Sequence, residues 1–348
     1  MIRFPSYLPM KQTLPTFLAL VSLLAAGCKP AAGPSASGSE KKKVAFVTNG
    51  VASFWTIAAA GVKAGGQKFG IDTETLMPAE GITDQKRIVE DLLTRGIDGI
   101  SISPIDPANQ SEILNEAAKR TKLITNDSDA PTSDRLVYIG TDNYKAGRMC
   151  GELVREAMPK GGTVMLFIGR LEQDNSKARR QGCIDGMLGR SEDPKRFDPP
   201  SDVIEEAGFK ILGTLTDNFD RAKGKANAED TLAKYPDLGC MVGLFAYNPP
   251  LILEALTQAG KLDKVKVVAF DEDDATLTGI QKGSVHGTIV QNPYMYGYKS
   301  VEVLGELAKG NNSVIPASKM IDIPTRQIRK ADVDAFWADL KEKMAAGK

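Results

Sequence analysis

The chain has 348 residues, with 44 basic and 44 acidic side chains, one histidine and four cysteines. Balanced charge without a long basic stripe argues against a nucleic-acid partner, because neutralising phosphates takes clustered Lys and Arg. A single histidine, His286, and cysteines without a CxxC pair leave little material for a zinc site or an imidazole-based triad, so neither a metal, a cofactor nor an enzyme activity is expected.

In chain order, basic Lys11 precedes an apolar run, Leu14 to Ala26, that is too short to span a bilayer and ends in Leu24-Ala25-Ala26-Gly27-Cys28. Residues 1–28 read as a secretory signal, and 29–43 as a flexible Pro/Ser/Gly-rich linker. Pro5, Pro9 and Pro15 oppose the alternative of a buried first helix. The end of the run resembles a bacterial lipobox, with Cys28 as the lipidated residue; Ala25 departs from the commoner Leu or Val. Met10-Lys11-Gln12 also looks like a natural start, so the reading frame opens at Met1 or, with Met1 to Pro9 a misplaced extension, at Met10. About three hundred residues remain after the linker, enough for two lobes of about 150 each and hence a cleft.

From Lys43 onward short β-branched runs alternate with helical patterns, the arrangement of an α/β fold with parallel sheets and crossover helices. Val44 to Thr48 is a strand, and Trp55, Ala58, Ala59, Val62 and Phe69 then recur along one helical face. Asp84 to Arg95 is a helix stopped by Gly96, Ile97 to Ile102 a buried strand, Asp106-Pro107 a helix start and Leu123 to Thr125 a strand. After a polar stretch come strand Leu136 to Ile139, helix Tyr144 to Met158, strand Thr163 to Ile168 and helix Lys177 to Leu188. Gly189 to Gly208 reads as a surface insertion. The series continues with strand Ile211 to Leu215, helix Arg221 to Lys234, strand Met241 to Phe245, helix Leu251 to Ala259 and strand Val265 to Phe270. Strand Thr288 to Gln291, helix Tyr294 to Lys309, strand Met320 to Ile323 and helix Ala331 to Met344 complete it. Cys150 and Cys183 fall on helices of one lobe, where a disulfide and simple burial are both open.

Ligands of open parallel sheets bind beyond the carboxyl ends of strands. Those ends carry Asn49 with Phe54-Trp55, Asn126-Asp127, Asp174-Asn175 with Arg179, Phe219-Asp220, Tyr247-Asn248, Asp271-Glu272 and Gln291-Asn292. Amides, carboxylates and a guanidinium can bridge adjacent hydroxyls while aromatic faces cover the C–H faces of a sugar ring, so the list describes a neutral polyol pocket. Each residue also has a plainer reading. Phe54 and Trp55 suit a helix core, and Asp127 and Asp271 suit caps or turns. Arg179 competes with its neighbour Arg180, and Asp271 to Asp274 suit a solvated helix start better than a calcium site. His286 reads as a solvated or hydrogen-bonded side chain.

These strand-end groups, in order, resemble the periplasmic sugar-binding proteins of ABC importers, especially the D-ribose-binding group, from Lys43 to about Ile328. Phe54-Trp55 stands at the family's aromatic pair and Ile124 to Asp127 at its first ligand-binding aspartate. Asn175 to Arg179 matches the segment of its binding arginine, and Asn218 to Arg221 that of its stacking phenylalanine. Phe245 to Asn248 matches its asparagine, Val268 to Asp271 its second aspartate and Thr288 to Gln291 its hinge glutamine. The resemblance implies a type I periplasmic binding protein fold, two doubly wound Rossmann-like lobes joined by a three-crossing hinge. Lobe one would take 44–139 plus 292–320, and lobe two 140–291 plus 321–345. It also implies a ligand set of Phe54, Trp55, Asp127, Arg179, Phe219, Asn248, Asp271 and Gln291; the strand ends themselves add Asn49, Asn126, Asn175 and Tyr247 as further candidates. The arginine that commonly follows the first aspartate is Ser128 here, and the family's first-loop asparagine falls near Ala52, so the hydroxyl pattern recognised need not be that of ribose.

The expected partners are a monosaccharide, a pentose or hexose, an importer permease and, through Cys28, a membrane; the chain is expected to be monomeric. Sugar sensing for chemotaxis or two-component signalling, and binding of a nucleoside, are the alternatives. A transcriptional regulator would need a DNA-binding module before Val44, and no GxGxxG, P-loop or GxSxG stands at a strand end to support an enzyme.

Overall fold

A computed structural model describes residues 41–346. The expected signal segment, the lipobox with Cys28 and the linker up to residue 40 lie outside the described residues. No helix among the described residues is long and apolar enough to cross a membrane.

The first lobe opens with strand β1 (Lys43–Val47), helix α1 (Ser53–Phe69), β2 (Asp72–Leu76), α2 (Ile82–Thr94), β3 (Gly99–Ile102), α3 (Ser111–Arg120), β4 (Lys122–Asn126) and β5 (Tyr138–Gly140). The second continues with α4 (Asn143–Ala157), β6 (Gly162–Ile168), α5 (Asp174–Leu188), β7 (Ile204–Glu206), β8 (Phe209–Thr216), α6 (Arg221–Lys234), β9 (Cys240–Gly243), α7 (Asn248–Gln258), β10 (Lys266–Phe270), α8 (Asp274–Lys282) and β11 (Gly287–Val290). Then follow α9 (Pro293–Ala308), β12 (Met320–Asp322), β13 (Arg326–Arg329) and α10 (Val333–Ala346).

The strands form two sheets. One, wholly parallel, has the order β12-β5-β4-β3-β1-β2; the other has the order β13-β11-β10-β9-β6-β8-β7, with only its edge strands β13 and β7 antiparallel. Central strands such as Gly99–Ile102 and Cys240–Gly243 are buried along their whole length, as sheets covered by helices on both faces require. Buried side chains fall into clusters on either face of each sheet.

Each lobe also holds one glycine-lined helix pair. Between α4 and α5, a Cβ at Gly147 or Gly182 would collide with the carbonyl oxygen of Arg179 or Tyr144; between α1 and α9, one at Gly61 or Gly297 would meet the carbonyl of Tyr294 or Ala58. The backbones can approach this closely only because no side chain intervenes. Since α5 carries Arg179, the first pair fixes the depth of that guanidinium.

The chain passes between sheets three times, after β5, after β11 and between β12 and β13. The last passage comes later than expected: β12 pairs with β5 through Asp322, and the Ile323 N–H still donates to Gly140 O at 2.8 Å. Residues 321–322 therefore belong to the first sheet, not to the second lobe.

Other departures concern polar edges and starts. Strands β2, β7 and β13 are additional to the expected series, because sequences such as Asp-Thr-Glu-Thr-Leu lie half-buried at or near an edge and lack an apolar alternation. Helix α8 is marked in the sequence only by a start at the acidic run. Helix α3 begins at Ser111 rather than at Asp106, whose carboxylate instead accepts from the Asn109 N–H at 3.2 Å in a preceding turn. The Gly189–Gly208 segment is pinned by buried Asp185, which pairs with Arg196 at 2.9 Å and accepts from Tyr144 Oη at 2.7 Å. Cys150, Cys183 and Cys240 are buried free thiols; contact with Cys183 and burial push the Cys150 thiol up in pKa, and burial does the same to Cys240.

Candidate functional site

A cavity of about 510 Å³ lies at the carboxyl ends of the strands of both sheets, within the roughly 300–1,000 Å³ of small-molecule sites. The first lobe contributes Asn49 after β1, Phe54 and Trp55 from the first turn of α1, and Asp127 after β4. The second contributes Asn175 and Arg179 from α5, Phe219 after β8, Tyr247 after β9, Asp271 after β10 and Gln291 after β11.

Asp127 is held by Ser103 Oγ at 3.0 Å and by Asn49 Nδ2 at 3.4 Å; the other end of Asn49 accepts from Trp55 Nε1 at 3.0 Å. The amide thus orients both a carboxylate and an indole. Burial pushes the Asp127 carboxyl up to about 6, against the opposing pull of Arg179 and the Ser103 hydrogen bond. Asp271 is likewise raised by burial and held down by Arg179 and by Gln291, whose Nε2 donates to its Oδ1 at 2.6 Å.

Arg179 is 2 % exposed and lies 4.0 Å from Asp271 Oδ2. Its Nε and Nη2 donate to Asn143 Oδ1 at 3.1 and 2.8 Å, and its Nη1 to Leu244 O at 2.8 Å. The guanidinium carbon stands 4.0 Å from the Phe270 ring centroid, so the ion is packed on an aromatic face as well as hydrogen-bonded. Arg180 points elsewhere, to Thr214 Oγ1 and to the carbonyl of Asp198, where it anchors the 189–208 segment. Of the two arginines, Arg179 is the one at the cavity.

Aromatic rings form two walls. In the first lobe, Phe54 and Trp55 meet edge to face at 4.9 Å; each is buried in the core and also lines the cavity. In the second, Phe219 stacks on Phe245 at 5.6 Å with rings 27° apart. Phe219 adopts φ 65°, as Asn218 before it adopts 56°, a bend anchored by Asn218 N–H donating to Gly169 O at 2.7 Å.

Two expected residues stand behind the wall rather than on it. Asn248 accepts from Phe245 N–H at 3.0 Å and donates to Asp217 Oδ2 at 3.1 Å, and Asp217 also accepts from Tyr247 Oη. This buried group fixes Tyr247, whose hydroxyl is raised in pKa by burial and by the Asp217 charge. Asn126 points below the sheet to Ser101 Oγ at 2.9 Å. Glu272, expected in a solvated helix start, is buried, with its carboxyl raised by burial and by neighbouring Asp271; Asp273 does cap α8, accepting from Ala275 N–H at 2.9 Å.

The wall also contains Arg170, Gln173, Asn218 and Arg221, which the strand-end reading does not single out. Arg170 and Gln173 sit in the β6–α5 loop, which has no periodicity to betray which side chains turn inward. No group of His, Cys, Asp and Glu among the described residues could hold a metal ion.

Residues 44–312 match the family model described as a periplasmic binding protein domain. The ribose import binding protein RbsB of Salmonella typhimurium is 26 % identical over 283 residues, covering 79 % of this chain and 88 % of the relative. A solute-binding protein from Burkholderia graminis in complex with D-arabinose is 27 % identical, covers 83 % of this chain and 96 % of its own, and superposes with a TM-score of 0.73. A glucose-galactose binding protein, GanP, from Geobacillus stearothermophilus is 27 % identical, covers 84 % and 99 %, and gives a TM-score of 0.74. With two mostly parallel sheets, a cavity at their strand ends and a family model spanning most of its length, the chain belongs to the periplasmic binding protein family.

Proposed function

We propose that the chain captures a monosaccharide between its lobes and delivers it to the permease of an ABC importer, acting as a binding protein rather than an enzyme. The observation that carries this is the cavity itself: carboxylates from opposite lobes, Asp127 and Asp271, flank Arg179 between aromatic walls. Carboxylates and a guanidinium bridge adjacent hydroxyls, and rings cover C–H faces. Relatives named for ribose import and for arabinose and glucose-galactose binding support the same ligand class.

In this reading Asp127, Arg179, Asp271 and Gln291 grip hydroxyls, with Asn49 and Asn175 beside them, while Phe54, Trp55 and Phe219 cover the ring. Asn248 acts through Asp217 and Tyr247 instead of touching the sugar. Closure follows from differential contact: a ligand touching both Asp127 and Arg179 favours the closed arrangement by as much as closed contacts exceed open ones. Hinge closure around a ligand is the known motion of periplasmic binding proteins, and it comes to this chain through membership of that family. The chain is exported, held to a membrane by a lipid on Cys28, and monomeric.

Thermal unfolding against pentoses, hexoses, nucleosides and amino acids tests the ligand class, since a ligand bound only by the native state raises Tm. A shift with one or a few aldoses, absent in Asp271→Ala, is expected; a shift with nucleosides or amino acids alone overturns the sugar reading. Mass spectrometry of the membrane-extracted protein should find a diacylglyceryl group on Cys28, and Cys28→Ala should release it.

A further inference from the structure

Among the charged side chains of the cavity wall, three guanidiniums, Arg170, Arg179 and Arg221, face two carboxylates, Asp127 and Asp271. Arg179 stands beside Asp271, but neither Arg170 nor Arg221 has a carboxylate at ion-pair distance among the described residues. Arg170 makes one long hydrogen bond, Nη2 to Asn218 O at 3.5 Å, and lies over the Phe219 ring at 4.8 Å; its Nε is buried with no acceptor. Arg221 lies 5.9 Å from the Tyr247 ring. Buried Asp217 is spent on Tyr247, Asn248 and the Phe219 N–H.

On the same β6–α5 loop, Gln173 is fully buried in the wall. Its Nε2 reaches across to Pro104 O of the first lobe at 3.4 Å, and its Oε1 has no donor. One loop therefore offers the cavity an unused cationic donor and an unused acceptor, beyond the Asp127, Arg179 and Asp271 group.

We propose that Arg170 and Gln173 form a second subsite for an anionic substituent, so that the preferred ligand is a sugar acid, a uronate or aldonate, whose carboxylate pairs with Arg170 and whose adjacent hydroxyl donates to Gln173. The physical reason is desolvation. Closing the lobes over a neutral sugar strips water from an unpaired guanidinium, a cost that a ligand carboxylate offsets with a charge-assisted hydrogen bond. Arg221 at the rim adds a longer-range attraction that salt screens.

This rests on the sugar-binding reading, and the test separates the two. Titration calorimetry of the full chain would compare glucuronate, galacturonate, gluconate and galactonate with glucose, galactose, ribose and arabinose at low and moderate salt. The expected result is that at least one acid binds roughly tenfold or more tightly than its neutral parent, with a preference that shrinks as salt rises. Arg170→Gln should collapse that ratio toward unity, and Arg170→Lys should retain part of it. Neutral sugars binding as well as or better than every acid would overturn the subsite and leave the sugar reading intact. An acid preference untouched by Arg170→Gln would overturn the assignment to Arg170. Binding of nothing in the panel would overturn both.

Discussion

Asp127 and Asp271 occupy equivalent posts in the two lobes. Each directly follows a central strand, β4 or β10, and each adopts a positive φ, 55° and 67°. Each donates its backbone N–H to an isoleucine carbonyl of the next strand, Ile139 at 3.1 Å and Ile289 at 2.7 Å. Each also gives its carbonyl to the hydroxyl of the residue just before that isoleucine, Tyr138 at 2.8 Å and Thr288 at 2.7 Å. The left-handed turn breaks the strand's alternation, which otherwise sends Asn126 below the sheet, and so aims both carboxyls into the cleft.

Because Asn tolerates that backbone nearly as well as Asp, Asp127→Asn and Asp271→Asn should fold normally and bind sugar roughly 10- to 100-fold more weakly, the worth of one hydrogen bond to a charged group. Asp271→Val adds strain of about 1–2 kcal/mol and should also lower Tm. Calorimetric titration with the best ligand checks this; undiminished affinity in both Asn variants would remove the carboxylates from the binding site.

Asp127 makes stability and binding respond oppositely to pH. Its carboxyl is raised from an ordinary 3.8 to about 6, so between those values the folded state holds a proton that the unfolded state has lost. That contribution to stability is fully present below about pH 4 and is lost as pH rises through about 6. The ligand instead needs the ionised carboxylate as an acceptor, so affinity should fall as pH drops below about 6. Affinity measured from pH 7.5 to 5 should show this decline in the parent protein and a flatter profile in Asp127→Asn.

Much of this arrangement was legible in the chain because strand ends in parallel sheets collect ligand groups whatever the ligand. Asn49, Asp127, Arg179, Asp271 and Gln291 could all be read from that rule. It failed at Asn248, which Pro249 and Pro250 draw into the first turn of α7 and into the grip of Asp217, and at Arg170 and Gln173, which no periodicity marks. Strands β2, β7 and β13 escaped for a related reason: an edge strand with solvent on its flank needs no apolar alternation.

The α4–α5 contact gives a prediction about fold and site together. Gly182→Ala places a methyl against the Tyr144 carbonyl, and neither backbone can yield without moving α5. A loss of about 1–3 kcal/mol or more is expected by overpacking, read as a lower midpoint in urea. Arg179 rides on the same helix, so sugar affinity should drop as well. A variant with parental stability and affinity would mean that the helices are not held as closely as their glycines allow.

The three passages between lobes are tied by one chain of hydroxyls. Gln291 Nε2 donates to Asp271, and Gln291 Oε1 lies 3.2 Å from Tyr296 Oη. Tyr296 Oη is 2.8 Å from Thr141 Oγ1, and Thr141 Oγ1 donates to Ile323 O at 2.8 Å. Thr141, Gln291 and Ile323 stand on the first, second and third passages, so a group at the sugar site is connected to all of them. Tyr296 is wholly buried, and burial pushes its hydroxyl well above the ordinary range, which keeps it a neutral donor. Tyr296→Phe removes the central link and leaves Gln291 Oε1 with one partner fewer. The expected cost is about 1–3 kcal/mol in urea unfolding, the penalty for an unsatisfied buried acceptor. If the hydroxyl chain also sets the hinge angle, small-angle scattering of the variant should record a smaller change in radius of gyration on adding ligand than in the parent. A stability loss with an unchanged ligand-induced compaction would assign Tyr296 to holding the fold alone.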